Sequence, residues 1–192
     1  MITKEKIQEF ITRAYDTACA HGFHDEERSD EHLLMLVVGE IGEIVEADRK
    51  NRHANPVGFE KCIGIGYGQR FRDYVKDSVE DELADVVIRL CDYCGKRGLM
   101  PAMPESGVLE MPDEFNDIFG QMSICEQCFS LSSFVVDMAK YADKKTKEHD
   151  LGMILSFCFE FARFHGIDLE WHIEQKMKYN EMRPYKHGGK KY

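Results

Sequence analysis

The sequence predicts an all-α protein, a helical bundle built from a single domain of 192 residues. Three observations support this fold class. Long segments repeat apolar residues at helical spacing. Only five prolines interrupt the chain, and hydrophobic residues make up 43% of it, which is enough for one compact core. We expect residues 1–99 to form a first helical half and residues 114–192 a second.

The first two helices have recognisable start signals. Thr3 is a predicted N-cap for a helix that runs to about His21 and ends at Gly22. Ser29 is a predicted N-cap for a second helix, which fades near Asn51. These signals predict two helices packed through their apolar faces.

Glycine and proline punctuate the following segments. Residues 53–70 are predicted to be a loop with room for one short helix at residues 59–63. A helix that contains Glu82 should then continue to Arg97 and stop at Gly98. Residues 99–113 are predicted to be a second irregular link. Periodicity predicts three more helices, at residues 114–144, 149–165 and 168–182.

A weak internal repeat links the two halves. Residues 82–99 align without a gap with residues 150–167, and the apolar phase of residues 34–51 fits residues 124–141. Our hypothesis is that a two-helix unit was duplicated and that the second copy buries the apolar face of the first. The alternative is a bundle of independent helices.

Composition excludes several classes of protein. The net charge of −10 argues against binding to nucleic acid, since such proteins concentrate Lys and Arg on one surface. No segment has the roughly 20 apolar residues that span a membrane. The N-terminus lacks the apolar run of a signal peptide, and the seven cysteines fit reduced thiols. We therefore expect a soluble, cytoplasmic protein.

Two pairs of carboxylates lie within the two most apolar helical segments. Glu40 and Glu43 are three residues apart and point with the apolar side chains of their helix, as do Glu82 and Asp85 in the later one. Residues at this spacing share a face, with Cβ atoms roughly 5–6 Å apart. Buried carboxylates must protonate or find cations. Four converging carboxylates predict bound Mg²⁺, with Mn²⁺ as a substitute. The alternative is a set of salt bridges, for which Arg89 is the obvious partner of Asp85.

These motifs resemble the MazG-like all-α nucleoside triphosphate pyrophosphohydrolases. The resemblance covers residues 29–50, 72–99 and 163–187. It rests on both carboxylate pairs in order and on a C-terminal segment with lysine, asparagine and arginine at set positions, namely Lys176, Asn180 and Arg183. Members of this superfamily cleave nucleoside triphosphates to monophosphate and pyrophosphate with Mg²⁺.

The resemblance implies a role for each motif residue. Glu40, Glu43, Glu82 and Asp85 would be metal ligands, and Glu43 would also orient the attacking water as the catalytic residue. Three residues on the last helix would contact the nucleotide, namely Lys176, Asn180 and Arg183. Their spacing places these three on one helical face. The resemblance also implies a homodimer.

The chain departs from the compact pattern of this superfamily in two places. The segment between the two carboxylate pairs is long, and residues 100–162 separate the second pair from the C-terminal motif. The second half of the chain could therefore replace the partner subunit of a compact member.

Two other functions remain open. Cys91/Cys94 and Cys125/Cys128 form C-x-x-C pairs that could hold structural zinc. Both pairs are predicted to lie within helices, so a role as small, buried hydrophobic side chains explains these cysteines better than zinc binding. The other alternative is a non-enzymatic interaction module in which the carboxylates form salt bridges.

Overall fold

The fold is all-α over the described part of the chain, which a computed structural model gives as residues 2–109, 111 and 118–189. The predicted fold class is therefore confirmed. A short irregular turn, Lys186–Gly189, follows the last long helix. Within these ranges, the helices of six residues or more are α1 Lys4–Ala20, α2 Asp30–Arg49, α3 Pro56–Lys61, α4 Tyr67–Tyr74, α5 Val79–Arg97, α6 Ile124–Met138, α7 Lys144–Phe164 and α8 Leu169–Glu181.

The predicted helix caps are confirmed by hydrogen bonds. Thr3 Oγ1 accepts a bond from the Lys6 N–H at 3.4 Å, and Ser29 Oγ accepts one from the His32 N–H at 3.3 Å. Gly98 ends α5 in the left-handed conformation, with φ of 61°. A side chain at this φ would be strained, which explains the glycine.

The loop prediction for residues 53–70 was wrong in part. This segment holds α3, which begins and ends earlier than predicted, and its last four residues, 67–70, already belong to α4. The short helix α4 buries Phe71, whose ring stacks on Tyr179 with centroids 4.4 Å apart. Glycines before α4 suggested a loop, but tertiary packing of aromatic side chains stabilises a helix there.

The helix predicted at residues 114–144 was too long. Residues 114–117 lie outside the described residues, and α6 begins only at Ile124. Ser123 and Glu126 form a capping box that fixes this start. The next helix begins at Lys144 rather than at residue 149, because the Asp143 side chain caps it.

The helices pack around one main core. Helix α2 lies against α5 and α6, α5 also contacts α1 and α8, and α6 contacts α7. Buried apolar side chains from all of these helices form one continuous cluster. The two helices that carry the carboxylate pairs are therefore neighbours, as the sequence predicted. Among the described residues, no helix combines the length and the apolar character needed to cross a bilayer.

The two aligned helices of the proposed repeat end in the same way. Gly98 and Gly166 occupy matching positions and have φ of 61° and 69°. In each case the residue after the glycine donates its N–H to the carbonyl four residues before the glycine, at 2.9 and 2.8 Å. The shared ending agrees with duplication, which remains a hypothesis.

Candidate metal centre

One cavity brings together the residues that the sequence predicted for the site. Its volume is about 230 Å³, and it lies among α1, α2, α5 and α8. All seven predicted site residues line it, namely Glu40, Glu43, Glu82, Asp85, Lys176, Asn180 and Arg183. Helical periodicity predicted the inward direction of Glu40, Glu82 and Asp85, but the expected burial of Glu43 was wrong, since Glu43 is exposed.

Three of the four carboxylates converge closely. One side-chain oxygen from each of Glu40, Glu82 and Asp85 can be chosen so that all three atoms lie within 4.8 Å of one another. Glu43 is exposed and lines the cavity without belonging to this group. The convergent group thus draws one ligand from α2 and two from α5.

Glu82 is the most exceptional of these carboxylates. It is only 3% exposed, and its side chain accepts no hydrogen bond and forms no ion pair within the described residues. Burial raises the pKa of Glu82 to about 9, against the opposing charge of Lys176. The side chain would hold a proton at neutral pH unless a cation binds beside it.

Glu40 has a cationic partner from the neighbouring helix. The Arg89 Nε donates to Glu40 Oε1 at 3.0 Å. Burial and the charge of Asp85 raise the pKa of Glu40 above its usual value, while Arg89 opposes this shift. The sequence suggested that Arg89 would pair with Asp85 on its own helix, but it pairs with Glu40 on α2.

Lys176 is the cationic partner of Asp85. Its Nζ lies 2.7 Å from Asp81 Oδ2 and 2.8 Å from Asp85 Oδ2. The side chain is buried, which disfavours its charge, yet the carboxylates of Asp85 and Asp81 outweigh burial and raise the pKa of Lys176 well above its usual range. The lysine therefore remains charged inside the protein.

Asp81 is a residue of the site that sequence reasoning missed. It is 0% exposed, its Oδ2 accepts the Asp77 N–H at 2.9 Å, and its Oδ1 is buried without a hydrogen-bond partner. Burial raises the pKa of Asp81 to about 6, against Lys176. Its position next to Glu82 in the first turn of α5 was the available signal, but acidic residues there usually serve only the helix dipole.

A second acidic group adjoins the first. Oxygens of Asp77, Asp81 and Glu82 can also be chosen within 4.8 Å of one another. Asp77 is partly compensated, because it forms ion pairs with Lys76 and, at 3.7 Å, with Arg52. The two groups share Glu82, so the carboxylates form one continuous acidic cluster beside the cavity.

Helix α8 also supplies polar groups to the lining of the cavity. Asn180 Oδ1 is buried without a hydrogen-bond partner. Arg183 forms no ion pair within the described residues, and its guanidinium lies 6.0 Å from the Tyr179 ring centroid. Both side chains are partly exposed to the cavity and can donate hydrogen bonds to an anion.

Aromatic rings line a further part of the cavity and were not predicted. The rings of Phe23 and His187 have centroids 4.8 Å apart, and those of His21 and His187 are 5.3 Å apart. His21 and Phe23 follow α1, whereas His187 belongs to the turn after α8. Their sequence separation concealed this cluster, because nothing local links the two segments.

The donor set fits a hard divalent cation. Carboxylate oxygens are the ligands that Mg²⁺ and Mn²⁺ prefer, whereas structural zinc favours thiolate and imidazole. The convergent group contains only carboxylates. The buried Glu82 side chain, which forms no ion pair or hydrogen bond among the described residues, is a specific observation in favour of a cation at this position.

The cysteine pairs form no comparable group. Within the described residues, no metal-ligand cluster contains a cysteine. Cys91, Cys94 and Cys128 are buried, while Cys125 is exposed. Burial raises the pKa of both Cys91 and Cys128 to about 12, so these thiols remain protonated near neutral pH.

Comparisons with protein-family models, with curated proteins and with solved structures returned no match to this chain. A functional proposal must therefore rest on the motifs and on the geometry of the cavity.

Proposed function

We propose that this protein is a MazG-like, Mg²⁺-dependent nucleoside triphosphate pyrophosphohydrolase, which cleaves a nucleoside triphosphate to the monophosphate and pyrophosphate. One observation carries the proposal. Oxygens of Glu40, Glu82 and Asp85 converge within 4.8 Å in a cavity that Asn180 and Arg183 also line. Carboxylates for a divalent cation and donors for phosphate thus face a single space.

Two groups of residues would bind different parts of a polyphosphate. Glu40, Glu82 and Asp85 would hold the cation, which when bound neutralises phosphate charge and lowers the pKa of water. Arg183 offers a guanidinium fork that suits phosphate oxygens, and the Asn180 amide can donate a hydrogen bond. The net charge of −10 makes such an arrangement necessary, because the protein would otherwise repel an anionic substrate.

In this proposal Glu43 would accept the proton of the attacking water. It lies one turn from Glu40 on α2, lines the cavity and is exposed. In the proposed reaction the water oxygen bonds to the α-phosphorus, and the bond from this phosphorus to the oxygen that bridges to the β-phosphate breaks. The water proton passes to Glu43, and pyrophosphate leaves against Arg183.

The decisive experiment is a screen of nucleoside triphosphates with MgCl₂ that separates the possible products. We expect monophosphate and pyrophosphate from at least one nucleotide, and none after chelation. Glu82→Gln keeps the shape of the side chain and removes a ligand charge, so activity should fall on the order of 10³-fold. Glu46→Gln, at an exposed position on the same helix as Glu43, is the control. Absence of pyrophosphate release from every nucleotide would overturn the proposal.

A non-enzymatic helical module is the second candidate. Ion pairs favour it, because Arg89 partners Glu40 and Lys176 partners Asp85. The unpaired Glu82 speaks against it, since a purely structural network has no use for a buried carboxylate without a partner. If this candidate were correct, Glu82→Gln would stabilise the protein and MgCl₂ would have no effect on its stability.

A further inference from the structure

Lys176 differs from the other two residues predicted to contact the nucleotide. Asn180 and Arg183 are partly exposed to the cavity, whereas Lys176 is only 4% exposed. An ammonium group has three donors. One of them is donated to Asp81 Oδ2 at 2.7 Å, and the ammonium group also forms an ion pair with Asp85 Oδ2 at 2.8 Å. Little of this group remains for a phosphate.

Asp81 is itself fixed from the other side. Its Oδ2 receives the Asp77 N–H at 2.9 Å as well as the Lys176 ammonium. Asp77 adopts the left-handed conformation, with φ of 59°, immediately before the N-cap of α5. Aspartate tolerates this conformation better than most residues. A chain of contacts therefore runs from the backbone before α5 through Asp81 to Lys176.

The chain of contacts ends on a predicted metal ligand. Lys176 lies against Asp85 Oδ2, while Asp85 Oδ1 accepts no hydrogen bond within the described residues. One oxygen of this carboxylate is thus held by the protein, and the other is available. Partners of this kind orient metal ligands and commonly change metal affinity by roughly 10–100-fold.

We propose that Lys176 and Asp81 are positioning residues for the cation site, in which Asp81 anchors the Lys176 ammonium group and Lys176 orients the carboxylate of Asp85. The inference rests on the proposed function only in that these carboxylates bind a divalent cation. In this inference Lys176 contacts the metal ligand Asp85 and does not contact the nucleotide.

The test is the affinity for Mn²⁺ without any nucleotide, measured from the electron paramagnetic resonance signal of the free ion. The main variant is Asp81→Asn with Lys176→Met, which removes both charges and so leaves the net charge unchanged. Lys176→Met alone leaves the buried Asp81 carboxylate without a counter-ion and can fail to fold. Lys178→Met is the matched control, because Lys178 is an exposed lysine on the same helix. Far-UV circular dichroism checks the fold of each variant.

We expect the double variant to bind Mn²⁺ at least tenfold more weakly than the wild type, and Lys178→Met to bind within twofold of it. In kinetic assays the half-saturating Mg²⁺ concentration should rise in the double variant, while the KM for the nucleotide at saturating Mg²⁺ stays within about threefold.

Two results would overturn the positioning role. Wild-type Mn²⁺ affinity in the double variant would mean that Lys176 only neutralises Asp81. An unchanged Mg²⁺ requirement with a raised nucleotide KM would mean that Lys176 contacts the substrate. If the wild type itself binds no Mn²⁺, the proposed function fails, so the two failures are distinguishable.

Discussion

Asp30, the first residue of α2, accepts hydrogen bonds from three side chains far along the chain. Tyr93 donates at 2.9 Å, Arg97 donates at 2.7 Å, and Lys147 also pairs with it. Burial raises the pKa of Asp30, but Lys147, Arg97 and Tyr93 outweigh burial and lower it to about 2. This single carboxylate therefore connects α2, α5 and α7.

Asp30 should make the stability of the fold depend on pH in the acidic range. Its pKa is lower in the folded chain than in the unfolded one, so its contribution is fully present above the unfolded value of 3.8 and is lost as the pH falls towards 2. We expect Asp30→Asn to lower the free energy of unfolding by about 2 kcal/mol at pH 6. The difference from the wild type should shrink below pH 4, as measured by urea denaturation.

Glu170→Gln is the matched control for this experiment. Glu170 also lies in the first turn of a helix, but it is exposed. Its substitution should change the free energy of unfolding by less than about 0.5 kcal/mol. If the loss of unfolding free energy in Asp30→Asn stayed constant down to pH 2, this would contradict the lowered pKa of Asp30.

Glu82 should couple cation binding to stability. A ligand that binds only the folded chain stabilises it by about 2.7 kcal/mol at a hundredfold excess over its Kd. We therefore expect MgCl₂ or MnCl₂ to raise the Tm of the wild type and to leave that of Glu82→Gln unchanged. Differential scanning calorimetry in chelator and in MgCl₂ measures both, with Glu46→Gln as the variant that should respond like the wild type.

Individual residues of the site were predictable only where a local pattern revealed them. Helical spacing placed Glu40, Glu82 and Asp85 on inward faces, because their apolar neighbours on the same helices mark those faces. It did not reveal that Lys176 reaches Asp81, a residue 95 positions away. Long-range pairing of charges depends on how whole helices dock, which no local pattern encodes.

Gly152 shows how closely α7 approaches the irregular segment after α5. A Cβ atom at this buried position would overlap the carbonyl oxygen of Ala102. The Ala102 N–H also donates to the Glu148 carbonyl at 2.7 Å, so the segment cannot easily move away. Backbone atoms of the two elements are therefore in direct contact at Gly152.

Two glycine-to-alanine substitutions should have opposite effects on stability. Gly152→Ala should destabilise the fold by about 1–3 kcal/mol, because the overlap with Ala102 exceeds the gain in helix propensity. Gly39→Ala should stabilise it by about 0.5–1 kcal/mol, since Gly39 is exposed within α2 and a Cβ there meets nothing within 4 Å. Urea denaturation followed at 222 nm measures both. Equal effects of the two substitutions on the free energy of unfolding would contradict the close approach of Gly152 to Ala102.

Helices with strong local signals were predictable, and helices without them were not. Local sequence signals predicted three helix ends correctly, namely those at Thr3, Ser29 and Gly98. Helix α4 has no side-chain cap and follows a glycine-rich stretch, so only its packing through Phe71 explains it. Boundaries near Ser123 were missed because the capping box there lies inside a continuous apolar pattern.

At the scale of the whole molecule, α6 leaves apolar side chains exposed. Phe129 is 77% exposed and Val136 is 51% exposed, and their spacing of seven residues places them on one face of the helix. The homodimer that the sequence resemblance implies would find a suitable surface here. The dimer is a proposal that rests on this resemblance and on the exposed face of α6.

Light scattering after size-exclusion chromatography tests the dimer. We expect a mass of two chains for the wild type and of one chain for Phe129→Glu, because a charge at the centre of an apolar contact is costly to bury. Lys140→Glu, at an exposed charged position beyond the end of α6, serves as the control and should remain dimeric. A monomeric wild type would remove the dimer from the proposal.

The docking of α8 also determines when the site can form. Among the described residues, Asp81 gains its counter-ion from Lys176, which lies 95 positions further along the chain. During translation, α5 leaves the ribosome before α8, so Asp81 must lack this counter-ion until α8 has been made. We therefore expect chains that stop before α8 to lack a competent cavity.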